Sequence, residues 1–237
     1  MTVAVLSQLP TFPNANEAED TVGGLLAIGG DLSPDRLLEA YRSGVFPWFE
    51  DDSEPILWWS PDPRAVIEPN AMRVTSSLAK RLRNGGFTVT FDEDFRRVIE
   101  RCAKARRGQS GTWITRNMQS AYIELYELGF AHSVEVWHDG KLVGGLYGLS
   151  LGQIFFGESM FSIARDASKV AFHHLCQRLS QWRFRLIDCQ IPNDHLISLG
   201  VQSMPRAQFL ALLAANDESR TRRVSWSAGA PEPSDAG

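Results

Sequence analysis

A chain of 237 residues, 43% apolar and 22% charged, can bury a core of its own without disulfides or structural metals. Its net charge of −4 excludes a protein that coats nucleic acid over its whole surface and leaves room only for a local basic patch. Three cysteines without close spacing exclude a disulfide framework and fit a reducing compartment. No C-x-x-C or H-E-x-x-H is present, so no zinc site is expected. No apolar run approaches the roughly 18 residues of a membrane span, and no charged segment leads into an apolar one at the start. The expectation is a cytoplasmic protein without membrane contact.

In chain order, residues 1–20 read as loop, with Pro10 and Pro13. In "GLLAIGGDLSPDRLLEAYRSGVFPWF" the first glycines read as a tight turn before a helix. They are not a phosphate loop, because no G-K-[ST] follows. Ser33 as N-cap, Pro34 at the first helical position and Gly44 at the C-terminal cap predict a helix over 34–43. Leu37, Leu38 and Tyr41 form its apolar face. "ILWWSPDPRAVIEP" is broken by prolines and reads as extended chain and linker, with a domain boundary near 62–64. A helix over 76–84 turns Leu78 and Leu82 inward and Lys80, Arg81 and Arg83 outward, with Arg73 just before it.

"FTVTF" (87–91) alternates as a strand does. Phe95, Val98, Ile99, Cys102 and Ala103 make a helical stripe within 92–106, which ends on Lys104, Arg106 and Arg107. Thr115 caps a further helix to about 128, with Met118, Ala121, Tyr122 and Leu125 on one face. Strands follow at 132–137, 142–150 and 153–161, separated by the hairpin signals Asp139-Gly140 and Leu151-Gly152. A helix over 167–183, a strand over 184–189, a short helix at 193–199 and a helix from about 205 to 215 complete the pattern. The tail from 217 to 237 is small and polar and reads as disordered.

This order predicts an α+β fold: a small N-terminal α/β domain (1–63), then a domain (64–216) with a mixed, mostly antiparallel sheet and packed helices.

Chemistry concentrates in two stretches. In "RLIDCQIPNDHLISLG" strand alternation puts Asp188 and Gln190 on one face, roughly 6.5–7 Å apart, and turns Cys189 to the other. Asp188 is then either a functional acid or the partner of an arginine, and Cys189 is a buried structural thiol without a base beside it. Asn193, Asp194 and His195 shape the turn behind them. In "FFGESMFS" Glu158 is the only acid in a long apolar run. Burying it alone is unfavourable, so it needs a protein cation or a ligand amine, and the flanking Phe155 and Met160 suit an apolar pocket. His132, His173, His174 and His195 show no metal spacing. Trp48 and Trp113 are either core packing or platforms for a nucleobase, and the cations around Lys80 are either a solvated face or a surface that tracks phosphates.

The strings "GLLAIGGDLSPDRLLEAYRSGVFPWF", "PILWWSPDPRAV", "GTWIT", "AHSVEVW", "LVGGLYG", "FFGESMFS", "ASKVA" and "LIDCQ…NDHLISLG" run in order over about residues 12–210. Together they closely resemble the leucyl/phenylalanyl-tRNA–protein transferase family. The resemblance implies a bacterial, cytoplasmic, monomeric enzyme with an N-acetyltransferase-like second domain that uses neither coenzyme A nor any other cofactor or metal. Such an enzyme moves Leu or Phe, with Met left open, from a charged tRNA onto an N-terminal Arg or Lys and so marks a protein for degradation. Carried over by motif, Trp48 and Trp113 would sandwich the terminal adenosine. Glu158, Met160, Tyr122, Leu146 and Phe155 would line the aminoacyl pocket. Asp188 and Gln190, with Glu158, would act at the forming peptide bond, Asp188 helping to remove the proton of the attacking amine. Arg73, Lys80, Arg81 and Arg83 would face the acceptor stem. Two other readings stay open on the residues alone: a non-catalytic adaptor for a tRNA end or a protein N-terminus, and an acyl-CoA-dependent N-acyltransferase, whose phosphate-binding glycine loop is not found.

Overall fold

Two sheets organise the chain in the computed structural model, which describes residues 3–104 and 114–227. The first is built from β1 (Ala4–Leu6), β2 (Leu25–Gly29), β3 (Phe46–Pro47) and β4 (Leu57–Trp59), in the order β1-β2-β4-β3. β1 runs parallel to β2, and the other pairs are antiparallel. β1 interrupts the loop expected over 1–20, and β2 takes up most of "GLLAIGG", leaving the expected turn before the helix to Gly29 and Gly30 with φ 84° and 76°. Strands of two to five residues are too short to show a period, and they exist because each has a neighbour to pair with. Trp58 lies fully buried beneath this sheet and donates from its indole Nε1 to the Gly29 carbonyl at 2.8 Å.

Helix α1 (Pro34–Arg42) follows as expected. The Ser33 side chain makes no capping bond; instead Asp31 accepts from the Ser33 backbone N–H at 2.9 Å, which turns the chain into the helix. Gly44 ends it with φ +74°, and a Cβ there would lie 2.5 Å from Leu210, so this turn takes only glycine.

The second sheet contains β5 (Arg64–Ile67), β6 (Thr88–Phe91), β7 (Ala131–His138), β8 (Lys141–Leu151), β9 (Ile154–Ser162), β10 (Leu186–Gln190) and β11 (Gln202–Met204), in the order β11-β5-β10-β9-β8-β7-β6. All neighbours are antiparallel except β9 and β10, which run parallel. This is the mixed, mostly antiparallel sheet of the expected α+β class. The stretch read as linker holds an interior strand. Residues 64–67 are buried on both faces, so they show no alternation, and the prolines stand outside the ladder.

Alternation along the strands sends side chains into two cores. Tyr147, Phe156 and Leu186 point to the face covered by α3 (Phe95–Ala103) and α4 (Arg116–Glu127), and that core continues without a break into Leu37, Tyr41 and Trp58 of the first layer. Leu146, Phe155 and Ile187 point to the other face, under α5 (Ala167–Gln181). Asp94, Thr115 and Asn193 cap α3, α4 and the short α6 (Asp194–Ser198) through their side chains. α3 starts with its apolar stripe at Phe95, inside the 92–106 window, after Asp92 turns the chain with φ 57°. α2 (Ser76–Asn84) packs near α5, and α7 (Arg206–Ala214) closes the fold against the Gly44 turn.

The segment 217–227, expected to belong to a disordered tail, is packed. Trp226 is fully buried, and its ring stacks on His132 at 3.9 Å between centroids. Among the described residues no helix is long and apolar enough to cross a membrane.

Candidate active site

β9 and β10 pair only over Ile154–Phe156 against Leu186–Asp188. Beyond that they part, and a cavity of about 620 Å³ lies where they separate. Leu146, Phe155, Met160, Phe172, Leu175 and Ile187 form its apolar wall. Glu158 and Gln190 supply its polar side, and Phe46, Pro47 and Trp48 of the first sheet close over it. A concave apolar pocket with a few convergent polar groups is the usual form of a small-molecule or acyl-group site.

Glu158 sits almost fully buried on β9 with three donors around it. Tyr41 of α1 donates to Oε1 at 2.7 Å, Tyr122 of α4 donates to Oε2 at 2.9 Å, and Gln190 donates from Nε2 to Oε1 at 2.8 Å. The two tyrosine hydroxyls are also hydrogen-bonded to each other. Burial outweighs these donors and pushes the Glu158 carboxyl up to about 7. Burial and the neighbouring carboxyl raise both tyrosines well above their ordinary value, so they keep their protons.

That shift has a sign. Glu158 is protonated in both folded and unfolded chains below about 4.5. Between about 4.5 and 7 the unfolded chain releases the proton and the folded one holds it, so the Glu158 contribution to stability is lost as pH rises. Urea unfolding of Glu158→Gln across this range is therefore expected to show a stability gain over the parent protein that grows with pH. A difference that stays constant from acid to neutral pH contradicts a buried, neutral Glu158.

Asp188 lies behind the pocket and not in it. It is fully buried, and Arg64 grips both of its oxygens, Nε to Oδ1 at 2.8 Å and Nη2 to Oδ2 at 2.7 Å. Oδ1 also accepts the Gln190 backbone N–H at 2.9 Å. The remaining Arg64 nitrogen donates to the Gly44 carbonyl at 3.1 Å, and the guanidinium lies over the rings of Phe46 and Phe209. One arginine thus ties β10, the first sheet and α7 together.

Residues 66–214 match the family described as leucyl/phenylalanyl-tRNA protein transferase, and residues 30–62 match the N-terminal domain of the same family. A leucyl/phenylalanyl-tRNA–protein transferase from Stutzerimonas stutzeri is 55% identical over 92% of this chain and 96% of its own length. One from Pseudomonas putida is 57% identical over 91% of this chain and 95% of its own. The chain belongs to this family. The transferase is accordingly an aminoacyl-transferring enzyme. A solved GCN5-related N-acetyltransferase from Kribbella flavida is 9% identical, with a TM-score of 0.38 over 73% of this chain and 61% of that one.

Of the residues expected in the transferase site, Glu158, Gln190, Leu146, Phe155, Met160 and Trp48 line one cavity. Tyr122 does not reach the cavity; it is fully buried behind Glu158. The shared face expected for Asp188 and Gln190 is corrected by a bulge. The register shifts between them, and Gln190 takes φ 63°, which swings its side chain toward Glu158 and leaves Asp188 against Arg64. Direct proton removal by Asp188 does not fit this placement, because its oxygens are already engaged.

Cys189 shares a face with Ile187, as alternation predicts, and that apolar face under α5 is the one that walls the cavity. Burial pushes its thiol well up, so it stays an inert lining residue. Asn193, Asp194 and His195, expected behind the pair, stand on the pocket rim. Arg73, Lys80 and Arg83 are exposed and Arg81 is half-buried, all away from the cavity wall. Trp113, Arg106 and Arg107 lie outside the described residues.

Sequence reasoning missed Tyr41 and Arg64 as members of this cluster. Tyr41 falls on the apolar stripe of α1, where nothing distinguishes it from core, and Arg64 sits in a stretch read as linker. Phe172 and Leu175 were missed for the same reason as Tyr41, because their spacing on α5 is that of core residues.

Proposed function

We propose that the cavity takes the Leu or Phe side chain at the end of a charged tRNA, and that the transferase moves that residue onto the α-amino group of an N-terminal Arg or Lys. Acting as a cytoplasmic monomer, it marks the acceptor protein for degradation. The observation that carries this reading is an apolar cavity of about 620 Å³ whose polar side is the Glu158–Gln190 pair. An aliphatic or aromatic side chain fits the wall formed by Leu146, Phe155 and Met160, which leaves its ester carbonyl near the polar side.

The reaction is aminolysis of an ester. The acceptor nitrogen attacks the carbonyl carbon, a C–N bond forms, and the C–O bond to the ribose breaks. The proton lost by the amine ends on the released ribose hydroxyl. A free α-amine has a pKa of about 7.7–8, so a useful fraction is already nucleophilic at neutral pH. The protein's main contribution is alignment, worth several kcal/mol when the reacting atoms are held in place. The Gln190 amide, fixed by Glu158, holds the amine, and Asp188 acts as a positioning residue through the Gln190 backbone. Trp48, 39% exposed at the mouth, supplies a face for the terminal base, with Trp113 as its counterpart. Arg73, Lys80, Arg81 and Arg83 meet the acceptor stem.

Mixing the protein with labelled Leu-tRNA and a peptide beginning with Arg is the deciding experiment. Label is expected in the peptide without added nucleotide or coenzyme A; label that stays on the tRNA while both partners bind makes the protein an adaptor. Base stacking on an aromatic ring is worth about 1–3 kcal/mol, so Trp48→Ala is expected to weaken Phe-tRNA binding roughly 5- to 150-fold in a filter-binding titration. Unchanged binding removes Trp48 from the tRNA site.

A further inference from the structure

We propose that Tyr41 and Tyr122 hold Glu158 as a neutral carboxylic acid, so that the amine meeting it stays in its uncharged, nucleophilic form. The argument is a count of protons. Three oxygen–oxygen contacts close a ring: Tyr41 to Glu158 Oε1 at 2.7 Å, Tyr122 to Glu158 Oε2 at 2.9 Å, and Tyr41 to Tyr122. Each contact needs one proton between its oxygens, and the tyrosines bring two. With Glu158 ionised, both tyrosines donate to it and the contact between them sets lone pair against lone pair. With Glu158 protonated, every contact is filled.

Gln190 sets the direction of the ring. It donates to Oε1, so Oε1 is the carbonyl oxygen and Oε2 carries the proton. Protonation reverses the bond that Tyr122 makes to an ionised carboxylate: the hydroxyl of Oε2 donates to Tyr122, Tyr122 to Tyr41, and Tyr41 back to Oε1.

The groups around Glu158 agree with this. Tyr41 faces it from α1, Tyr122 from α4, and Gln190 from β10, while the charges of Asp188 on β10 and Arg64 on β5 act at longer range. Arg64 is the only cation in that set, and it makes no hydrogen bond to Glu158: its Nε and Nη2 donate to Asp188 and its Nη1 to the Gly44 carbonyl. Burial pushes the Glu158 carboxyl up to about 7, in the same direction.

The consequence for the reaction rests on the function proposed above, but the protonation is a property of the protein alone. A carboxylate beside an amine raises the amine's pKa and locks it as unreactive ammonium. A neutral acid has no such effect, and the Gln190 amide, whose Nε2 is held by Glu158, offers the amine N–H its carbonyl oxygen. Tyr41 comes from the first layer and Glu158 from the second sheet, so the ring is complete only when the layers are docked. In this way α1 supplies a positioning residue to chemistry on the other sheet.

Infrared difference spectra of the ligand-free protein against Glu158→Gln at about pH 6 test the proposal. The expected result is loss of a protonated-carboxyl C=O band in the variant; loss of carboxylate bands in its place overturns it. In Tyr41→Phe the same band is expected to move to higher wavenumber, because the carbonyl oxygen loses a donor. Tyr122→Phe provides a second reading, and a band unmoved in both variants overturns the ring. In single-turnover transfer from Phe-tRNA, Tyr41→Phe is expected to be about 10-fold slower or more with tRNA affinity within about twofold. Weakened affinity at unchanged rate overturns the positioning role. If the parent protein transfers nothing, the function proposed above fails while the infrared result still decides the protonation.

Discussion

Arg64→Met is expected to lower the unfolding free energy by about 3–5 kcal/mol, the range for breaking a buried ion pair from one side. The substitution leaves Asp188 fully buried with its negative charge and no cation, and it strips a donor from the Gly44 carbonyl. The loss is not a measure of how much the pair stabilises the fold. Taking both charges out of water is itself unfavourable, and the double variant Arg64→Met, Asp188→Leu is expected to recover much of the loss. Urea unfolding of the three proteins separates the two statements. A single-variant loss below about 1 kcal/mol would mean that the pair is hydrated and not buried. Activity should fall with Arg64→Met in the folded fraction as well, since Asp188 holds the Gln190 backbone that places the Gln190 amide against Glu158.

The second large effect lies at the far end of the chain. Trp226→Ala is expected to destabilise by about 3–5 kcal/mol, as for other fully buried large aromatics. The indole packs on His132, Trp182, Phe184 and Phe155, and the last of these lines the cavity from its other side. Its backbone is fixed too: the N–H donates to Asp92 at 2.7 Å, and the carbonyl accepts from Arg178 at 3.0 Å. At the entropy typical of a domain this size, the loss corresponds to a drop in Tm of roughly 6–20 °C. A drop under about 2 °C would show that the segment after Asp217 merely rests on the surface. Trp226→Phe, which keeps the stacking, should recover part of the loss.

These two predictions mark where reading the chain succeeded and where it did not. Phe95, Val98 and Ile99, and Met118, Tyr122 and Leu125, repeat at helical spacing and are buried where that spacing puts them. The hairpins of β7, β8 and β9 carry their own turn residues, Asp139-Gly140 and Leu151-Gly152. Glu158 stood out because an acid within an apolar run demands an explanation. By contrast, Trp226 lay in a stretch whose average composition is that of a solvated tail, and one indole among small polar residues does not move an average. Arg64 lay between prolines. Tyr41 resembled every other apolar-face residue of its helix.

The sequence by itself determined the α+β class, most of the helices, the acid in the apolar strand and, through eight collinear motifs, the family. Those features are local: a period, a cap, a turn pair or a short string of residues is complete within a few positions. Only the tertiary structure decided which groups meet Glu158, that Asp188 answers to Arg64, and that a bulge at Gln190 sends the amide and not the acid toward the cavity. Each of these joins residues far apart in the chain, Tyr41 with Glu158 and Arg64 with Asp188. Hydrogen-bond demand in a buried site is met by whatever the fold brings within about 3 Å, and no spacing along one segment records that.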